Sequence, residues 1–317
     1  MSITLLNLHP PAADLQRLVR DGLRHSPRQL PAWMLYDDEG SRLFAEICRQ
    51  PEYTLTQREI TLLEQHGDAI AAATGPGMVV EFGIGNALKV DPLLTALGSS
   101  VFAALDISLS ALKEALSGLA DWHPNIAMVG ICCDHTRLER LPRHPALDGQ
   151  RRIGFFPGSS LGNFTPDEAV DFLRNARQLL AGGPLLLGLD QPREPALMEA
   201  AYDDAAGVSA AFARNLLQRL NRDLQGDADP QQFRYRARWQ AQQQRIEMAL
   251  VSTQDQTVHL GGEACFFRQG EAWITEYSVK YSPDAAAALA AQAGWRIQRR
   301  WTDPHQQIAL HLLLPAN

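Results

Sequence analysis

From Met78 to Asp190, short apolar runs alternate with helical stretches, and this rhythm restricts the chain more than any other feature. The runs fall near 78–82, 101–105, 126–132, 152–156 and 184–189, with helical stretches near 88–97, 109–120 and 166–181. Strands covered on both faces read as continuous apolar runs, and parallel strands need long crossovers between them. Alternation at this spacing predicts an α/β fold with a doubly wound parallel sheet. Thr165-Pro166-Asp167-Glu168 opens the last helix with an N-cap, a proline at the first position and an acidic first turn.

The flanks break this rhythm. The first 75 residues read as helical: a helix within 12–30, the turn Tyr36-Asp-Asp-Glu-Gly40-Ser41, and a helix over 42–50 with Leu43, Phe44 and Ile47 on one face. Thr56-Gln-Arg-Glu59 reads as a capping box ahead of Ile60, Leu62 and Leu63. After Asp190, residues 196–224 read as helical and 231–282 as strands of period two. An alanine-rich helix and two strands follow over 284–314 and would close the sheet with an antiparallel hairpin. The expected organisation is a helical segment 1–60 belonging to a substrate domain, a nucleoside-binding core formed by 61–190 and 284–317, and a substrate-binding insertion 191–283. The segment and the insertion together would make a second, α+β domain.

Composition narrows the partners. Among 317 residues, 29 are basic and 36 acidic, a net charge of -7. No basic stripe interrupts that surface, so nucleic acid is not an expected partner. Four cysteines, none in a C-x-x-C pair, suit a reducing compartment. Met1 to Pro10 lacks Lys and Arg and is broken by Pro10-Pro11, and no apolar run reaches membrane-spanning length. The chain is expected to be a cytoplasmic monomer with no membrane partner.

Chemistry concentrates at the strand ends. The first run leads into Glu81-x-Gly83-x-Gly85-x-Ala87, and an acid, Asp106, ends the second about twenty residues later. Glycines there permit a tight turn and close approach to a ligand, and a carboxylate can accept from both ribose hydroxyls. A dinucleotide site uses the same parts. Glu81 tilts the choice, because it would face a pyrophosphate unfavourably but would welcome a sulfonium and an ammonium. Asp134 ends the third run, in a position suited to an adenine amino group. Together these select S-adenosylmethionine (SAM) as cofactor. Lys89 has two readings, a cofactor contact and a solvated first-turn residue.

The fourth run ends in Gly158-Ser-Ser-Leu-Gly-Asn163-Phe164, where an amide carbonyl could hold an acceptor N–H. Glu276, Ser278 and Lys280 share one strand face by period two, and that face is either a solvated edge or a pocket wall. His123, Cys132, Cys133, His135 and His144 fit no metal spacing, so no metal is expected.

Several segments then match a known family. Tyr36-Asp-Asp-Glu-Gly-Ser-x-Leu-Phe, Pro51-Glu-Tyr53, Gly158-Ser-x-x-Gly-Asn163-Phe164, Ala201-Tyr202-x-Asp204-x-x-Gly207-Val208 and Glu276-x-Ser278-x-Lys280-Tyr281 resemble the histidine Nα-methyltransferases of ergothioneine biosynthesis. The resemblance runs in order from about residue 30 to the C-terminus. It implies a SAM methyltransferase fold and trimethylation of the α-amino group of free histidine. It also implies that Tyr36, Gly83, Gly85, Lys89, Asp106, Asp134 and His135 hold SAM. Tyr53, Asn163 and Tyr202 would hold the amine and carboxylate, with Tyr53 and Asn163 aligning the nucleophile. Glu276, Ser278 and Met248 would line the imidazole pocket. The chain departs from the family pattern at Ile84, His135 and Thr54-Leu55. Two other readings stay open: an Nα-methyltransferase for another amino acid such as a tryptophan derivative, and a SAM-binding sensor that transfers nothing.

Overall fold

A computed structural model of the protein describes residues 3–8, 14–85 and 87–316. Asn86 of the glycine motif, residues 1–2 and 9–10 at the N-terminal end, and the predicted helix start at 12–13 lie outside the described residues. The chain folds as two compact units. One comprises Met1–Pro11, Leu55–Gln191 and Tyr281–Asn317; the other comprises Ala12–Thr54 and Pro192–Lys280.

The first unit is built on an eight-stranded sheet. Its strands are β1 (Ile3–Asn7), β3 (Met78–Phe82), β4 (Val101–Asp106), β5 (Ala127–Cys132), β6 (Arg152–Phe156), β7 (Leu185–Asp190), β13 (Trp295–Thr302) and β14 (Ile308–Pro315). They lie in the order β1-β5-β4-β3-β6-β7-β14-β13. The first six are parallel and β14 is antiparallel to both its neighbours. Every residue of β3 is buried, so its run Met-Val-Val-Glu-Phe is apolar but for Glu81. Each of its large apolar side chains contributes about 1.5–3 kcal/mol by leaving water. The strand order reverses at β3, with β4 and β5 laid to one side and β6 and β7 to the other. The carboxyl ends of β3, β4 and β6 therefore flank the crevice where such sheets take ligands.

Helices α3 (Leu55–Thr74), α4 (Val90–Leu97), α5 (Leu109–Trp122), α6 (Pro166–Leu179) and α9 (Pro283–Gln292) complete this unit. Two expectations change here. The first 75 residues are not all helical, because Ile3–Asn7 pairs in parallel with β5. The boundary expected at 60 falls instead between 54 and 55, because α3 is one unbroken helix packed on α4 and β14.

The second unit carries α1 (Leu15–Arg24), α2 (Asp38–Ile47), α7 (Pro195–Tyr202) and α8 (Val208–Leu224). Its four-stranded sheet runs β2 (Arg28–Gln29), β12 (Ala272–Val279), β9 (Arg245–Ser252), β8 (Phe233–Gln240), beside a hairpin of β10 (Gln256–Leu260) and β11 (Glu263–Phe267). The turn expected at 36–41 is mostly the first turn of α2, which Asp37 caps by accepting the N–H of Gly40. The helical stretch expected over 196–224 consists of two helices. The Asp204 carboxylate accepts the N–H groups of Val208 at 2.8 Å and Ser209 at 2.7 Å, so a new helix starts beyond Gly207. No helix among the described residues is long and apolar enough to cross a membrane.

Candidate active site

The glycine loop at the end of β3 is shaped by backbone conformation. Gly83 and Gly85 have φ of 75° and 54°, a region that side chains disfavour. A Cβ at Gly85 would meet nothing within 4 Å, so the loop leaves open space there. Asp106, at the end of β4, holds the loop in place: its carboxylate accepts from Ile84 N–H at 3.2 Å and from Ser108 N–H at 2.8 Å. Burial pushes Asp106 up against these bonds. Asp134 accepts from the backbone and hydroxyl of Thr136 at 3.0 and 2.6 Å. His135 is half-buried with its ring set among Phe82, Phe156 and Phe172, and desolvation there holds its imidazole down at about 4. It is therefore neutral and packs as an aromatic ring would.

Behind the loop lies a hub that the sequence does not announce. Glu59 is fully buried, and both its oxygens accept from Gly158 N–H, at 3.1 and 2.8 Å. Lys89 Nζ stands 3.3 Å from the same carboxylate. Burial pushes Glu59 up while Lys89 and the Gly158 N–H pull it down. Glu59 thus ties the cofactor loop to the loop after β6, which carries Asn163 at the end of a short 3-10 turn, Ser160–Asn163. Its neighbours leave no slack: a Cβ on Gly188 would stand 1.8 Å from Glu59 Oε1. Thr56 lies inside the first turn of α3, so the capping box expected of Thr56 and Glu59 does not form.

Glu81 is also fully buried, and its Oε2 has no hydrogen-bond partner among the described residues. Burial, Asp106 and Glu59 all push it up, with Lys89 opposing. Two acids beside Lys89, Glu59 and Glu81, with Asp106 acting on Glu81, an unpartnered buried carboxylate oxygen and open space over Gly85 suit a cationic nucleoside ligand. SAM, with its sulfonium and ammonium, fits that donor set.

The second unit gathers the residues expected to recognise an amino acid. Tyr53 packs edge-on against Tyr202 at 5.8 Å and Phe44 at 6.3 Å. Tyr36 packs on Phe44 and Phe212 at 5.5 and 5.3 Å. Tyr36, expected among cofactor contacts, lies in this aromatic cluster. Its phenol is pushed well above its usual range by burial, then by Glu276, Cys48 and Tyr202.

The sheet face beside this cluster depends on one irregularity. On β12, Ile274 pairs with Ala249 and Glu276 pairs with Met248, so Thr275 is an extra residue. Without that bulge Ile274 and Glu276 would share a face. With it, Ile274 and Tyr277 join Ala249 and Val251 in a core cluster, and Glu276 stands beside Met248 on the opposite face. Ser278 follows on that same face. Burial pushes the Glu276 carboxyl up to about 8, with Lys280 opposing. Lys280 is 1% exposed; its Nζ donates to Tyr202 Oη at 2.7 Å and to Ser278 Oγ at 2.8 Å, and those hydroxyls are 2.8 Å apart. The ammonium also sits 4.4 Å from the Tyr202 ring centre. Sequence reasoning saw Lys280 on this face but gave it no role. No signal marked the bulge.

The chain is similar to known proteins along nearly its whole length. The profile of the family described as "Histidine-specific methyltransferase, SAM-dependent" matches residues 15–315. The chain is 37% identical to a histidine N-alpha-methyltransferase of Mycolicibacterium smegmatis over 308 residues, covering 95% of each. It is 36% identical to one of Mycobacterium tuberculosis over 306 residues, covering 94% of each. Among solved structures, an S-adenosylmethionine-dependent methyltransferase of Clostridium acetobutylicum aligns with a TM-score of 0.51 and 10% identity, covering 86% of this chain and 98% of that one. That likeness is one of fold.

Proposed function

This chain belongs to the SAM-dependent, histidine-specific methyltransferases, and from that premise we propose that it methylates the α-nitrogen of histidine through to the trimethylated product. The observation that carries this reading within the structure is the buried face of Glu276, Met248 and Ser278 beside Tyr202. It offers a carboxyl group, hydroxyls and an apolar thioether within one small area, which matches a ring bearing both a donor and an acceptor nitrogen.

When bound, SAM supplies a methyl carbon made electrophilic by its sulfonium. Gly83 and Gly85 would admit it closely, Asp106 and Asp134 would take its hydroxyl and amino groups, and Glu81 with Lys89 would complement its charged end. Tyr53 and Asn163 would hold the substrate amine; the Asn163 carbonyl can accept one N–H and so direct the lone pair. A free α-amine is mostly protonated at neutral pH and must lose that proton first. A desolvated site lowers the amine's pKa, so loss of the proton to water suffices without a dedicated base. The larger part of the rate would come from alignment.

Glu276 would choose the ring. At neutral pH its carboxyl holds its proton in the free protein. A bound imidazole can share that proton, so carboxyl with imidazole and carboxylate with imidazolium are two forms of one pair. An apolar side chain could exchange no proton with Glu276, and discrimination against a substrate that lacks the matching polar group can reach roughly 10⁴-fold.

Mass spectrometry of the products from SAM and each free amino acid tests the reading. Successive methylation of histidine ahead of all others is expected. Methylation of tryptophan or another amino acid in preference to histidine would overturn the substrate, and SAM binding without product from any amino acid would overturn the reaction.

A further inference from the structure

A cavity of about 850 Å³ opens in the second unit, between the end of α1, β2 and the turn after β11. That volume lies within the roughly 300–1,000 Å³ of small-molecule sites. Arg20, Arg24, Arg28 and Arg268 line it, with Glu263 and Glu271 as the acids. The local charge is therefore positive, on a chain whose net charge is -7. Arg24 alone would be accounted for by the end of α1, whose dipole it complements. Arg20, one turn earlier on the same helix face, adds a like charge that a helix disfavours.

The acids are poorly placed to cancel these cations. Glu271 is already engaged: one oxygen accepts from Arg28 Nε at 2.6 Å and the other from the Arg268 backbone N–H at 3.0 Å. Glu263 stands 4.0 Å from Arg24 and Asp21 stands 3.7 Å from Arg20, both beyond hydrogen-bond reach. The Arg268 guanidinium acts on Glu271 through its charge and has no hydrogen bond among the described residues. Arg28 differs from the other three. Its guanidinium donates to Glu271, to the Phe266 carbonyl at 2.8 Å and to Cys265 Sγ, and lies 4.6 Å from the Phe267 ring centre. Those contacts fix one cation in place, while Arg24 and Arg268 stay exposed and Arg20 half-buried.

Guanidinium groups thus converge from α1, from β2 and from the turn after β11. A planar carboxylate is matched by one such fork. A phosphate dianion, with three strong acceptor oxygens, can take N–H groups from several sides at once. We propose that this cavity binds a small phosphate-bearing anion, held by Arg24 and Arg268 against the fixed cation of Arg28. None of these residues serves the methyl-transfer site, so success or failure here leaves the reading above untouched.

Calorimetric titration of the full chain tests this, with S-adenosylhomocysteine present throughout to fill the cofactor crevice. The probes are inorganic phosphate, pyrophosphate and glycerol 3-phosphate at constant ionic strength, with citrate as the carboxylate control. Saturable binding of at least one phosphate probe is expected, about 10-fold or more tighter than citrate. Arg24→Ala and Arg268→Ala should each weaken it about 10-fold, with Tm and S-adenosylhomocysteine affinity unchanged, and Arg268→Lys should recover part of the loss. Sedimentation with vesicles containing phosphatidate separates a lipid headgroup from a free anion. Vesicle binding that both alanine variants lose, with no binding of the soluble probes, assigns the phosphate to a lipid. No saturable binding of any probe or vesicle, citrate bound as tightly as phosphate, or wild-type affinity in either alanine variant would overturn the proposal.

Discussion

Two Thr-x-x-Glu segments stand at the starts of α3 and α6, and only one of them is a cap. Thr165 and Glu168 do what the pattern describes: Glu168 accepts from Thr165 N–H at 2.8 Å while Thr165 Oγ accepts from Glu168 N–H at 3.4 Å. Both are exposed and serve their own helix. Thr56 and Glu59 share the pattern, but α3 already begins at Leu55, ahead of Thr56, and Glu59 turns inward, where it holds Gly158 and Lys89. A capping glutamate is solvated and worth about 1 kcal/mol. A buried glutamate with a lysine partner must be matched by its surroundings or it costs stability. The same four letters therefore carry a local role in one place and a long-range one in the other.

Breaking the inward glutamate should have the largest effect. Glu59→Ala leaves Lys89 without its carboxylate and Gly158 without its acceptor. We expect a loss of about 3 kcal/mol in denaturant unfolding and of at least 10²-fold in methyl transfer. Unchanged turnover in a stable variant would reduce Glu59 to packing. Gly188→Ala attacks the same hub from β7, because its methyl group would need the place of Glu59 Oε1. A smaller loss, about 1–3 kcal/mol, with the same fall in turnover is expected. Normal activity there would separate the hub from the chemistry.

Glu276 extends the comparison to a buried carboxyl in the second unit. Its folded-state value, about 8, lies above the ordinary 4.5. The folded protein therefore binds the extra proton between those values, and stability should fall as pH rises through that window. Glu276→Gln cannot ionise, so its Tm relative to wild type should rise between pH 5 and pH 8 and level off above that. A constant difference would mean that Glu276 does not titrate there. The smallest effect belongs to the true cap: Glu168→Ala should cost about 1 kcal/mol or less and leave histidine kcat/KM unchanged, and any larger loss of activity would blur the distinction drawn here.

The cofactor end was the legible half. Apolar runs, glycines where φ must be positive and acids at strand ends are local properties, and local properties repeat along the chain. The amino-acid end was legible only through family resemblance, because period two left Glu276, Ser278 and Lys280 between a solvated edge and a pocket wall. Nothing in Trp273-Ile-Thr-Glu276 marks Thr275 as the residue out of register, since a bulge is defined by the partner strand. The two helices in place of one after Pro195 were hidden for a related reason: Asp204 and Gly207 read as polar interruptions until their hydrogen bonds are seen.

By itself the sequence determined the alternating parallel strands and helices and the glycine loop, because burial periodicity and backbone sterics act between near neighbours. Tertiary structure alone decided which glutamate caps and which one joins two loops, which face Glu276 takes, and that Lys280 meets Tyr202 and Ser278. Glu59 meets Gly158 across 99 residues and Lys280 meets Tyr202 across 78. At such separations the pairing is set by how buried charges and hydrogen bonds must be satisfied in the folded chain.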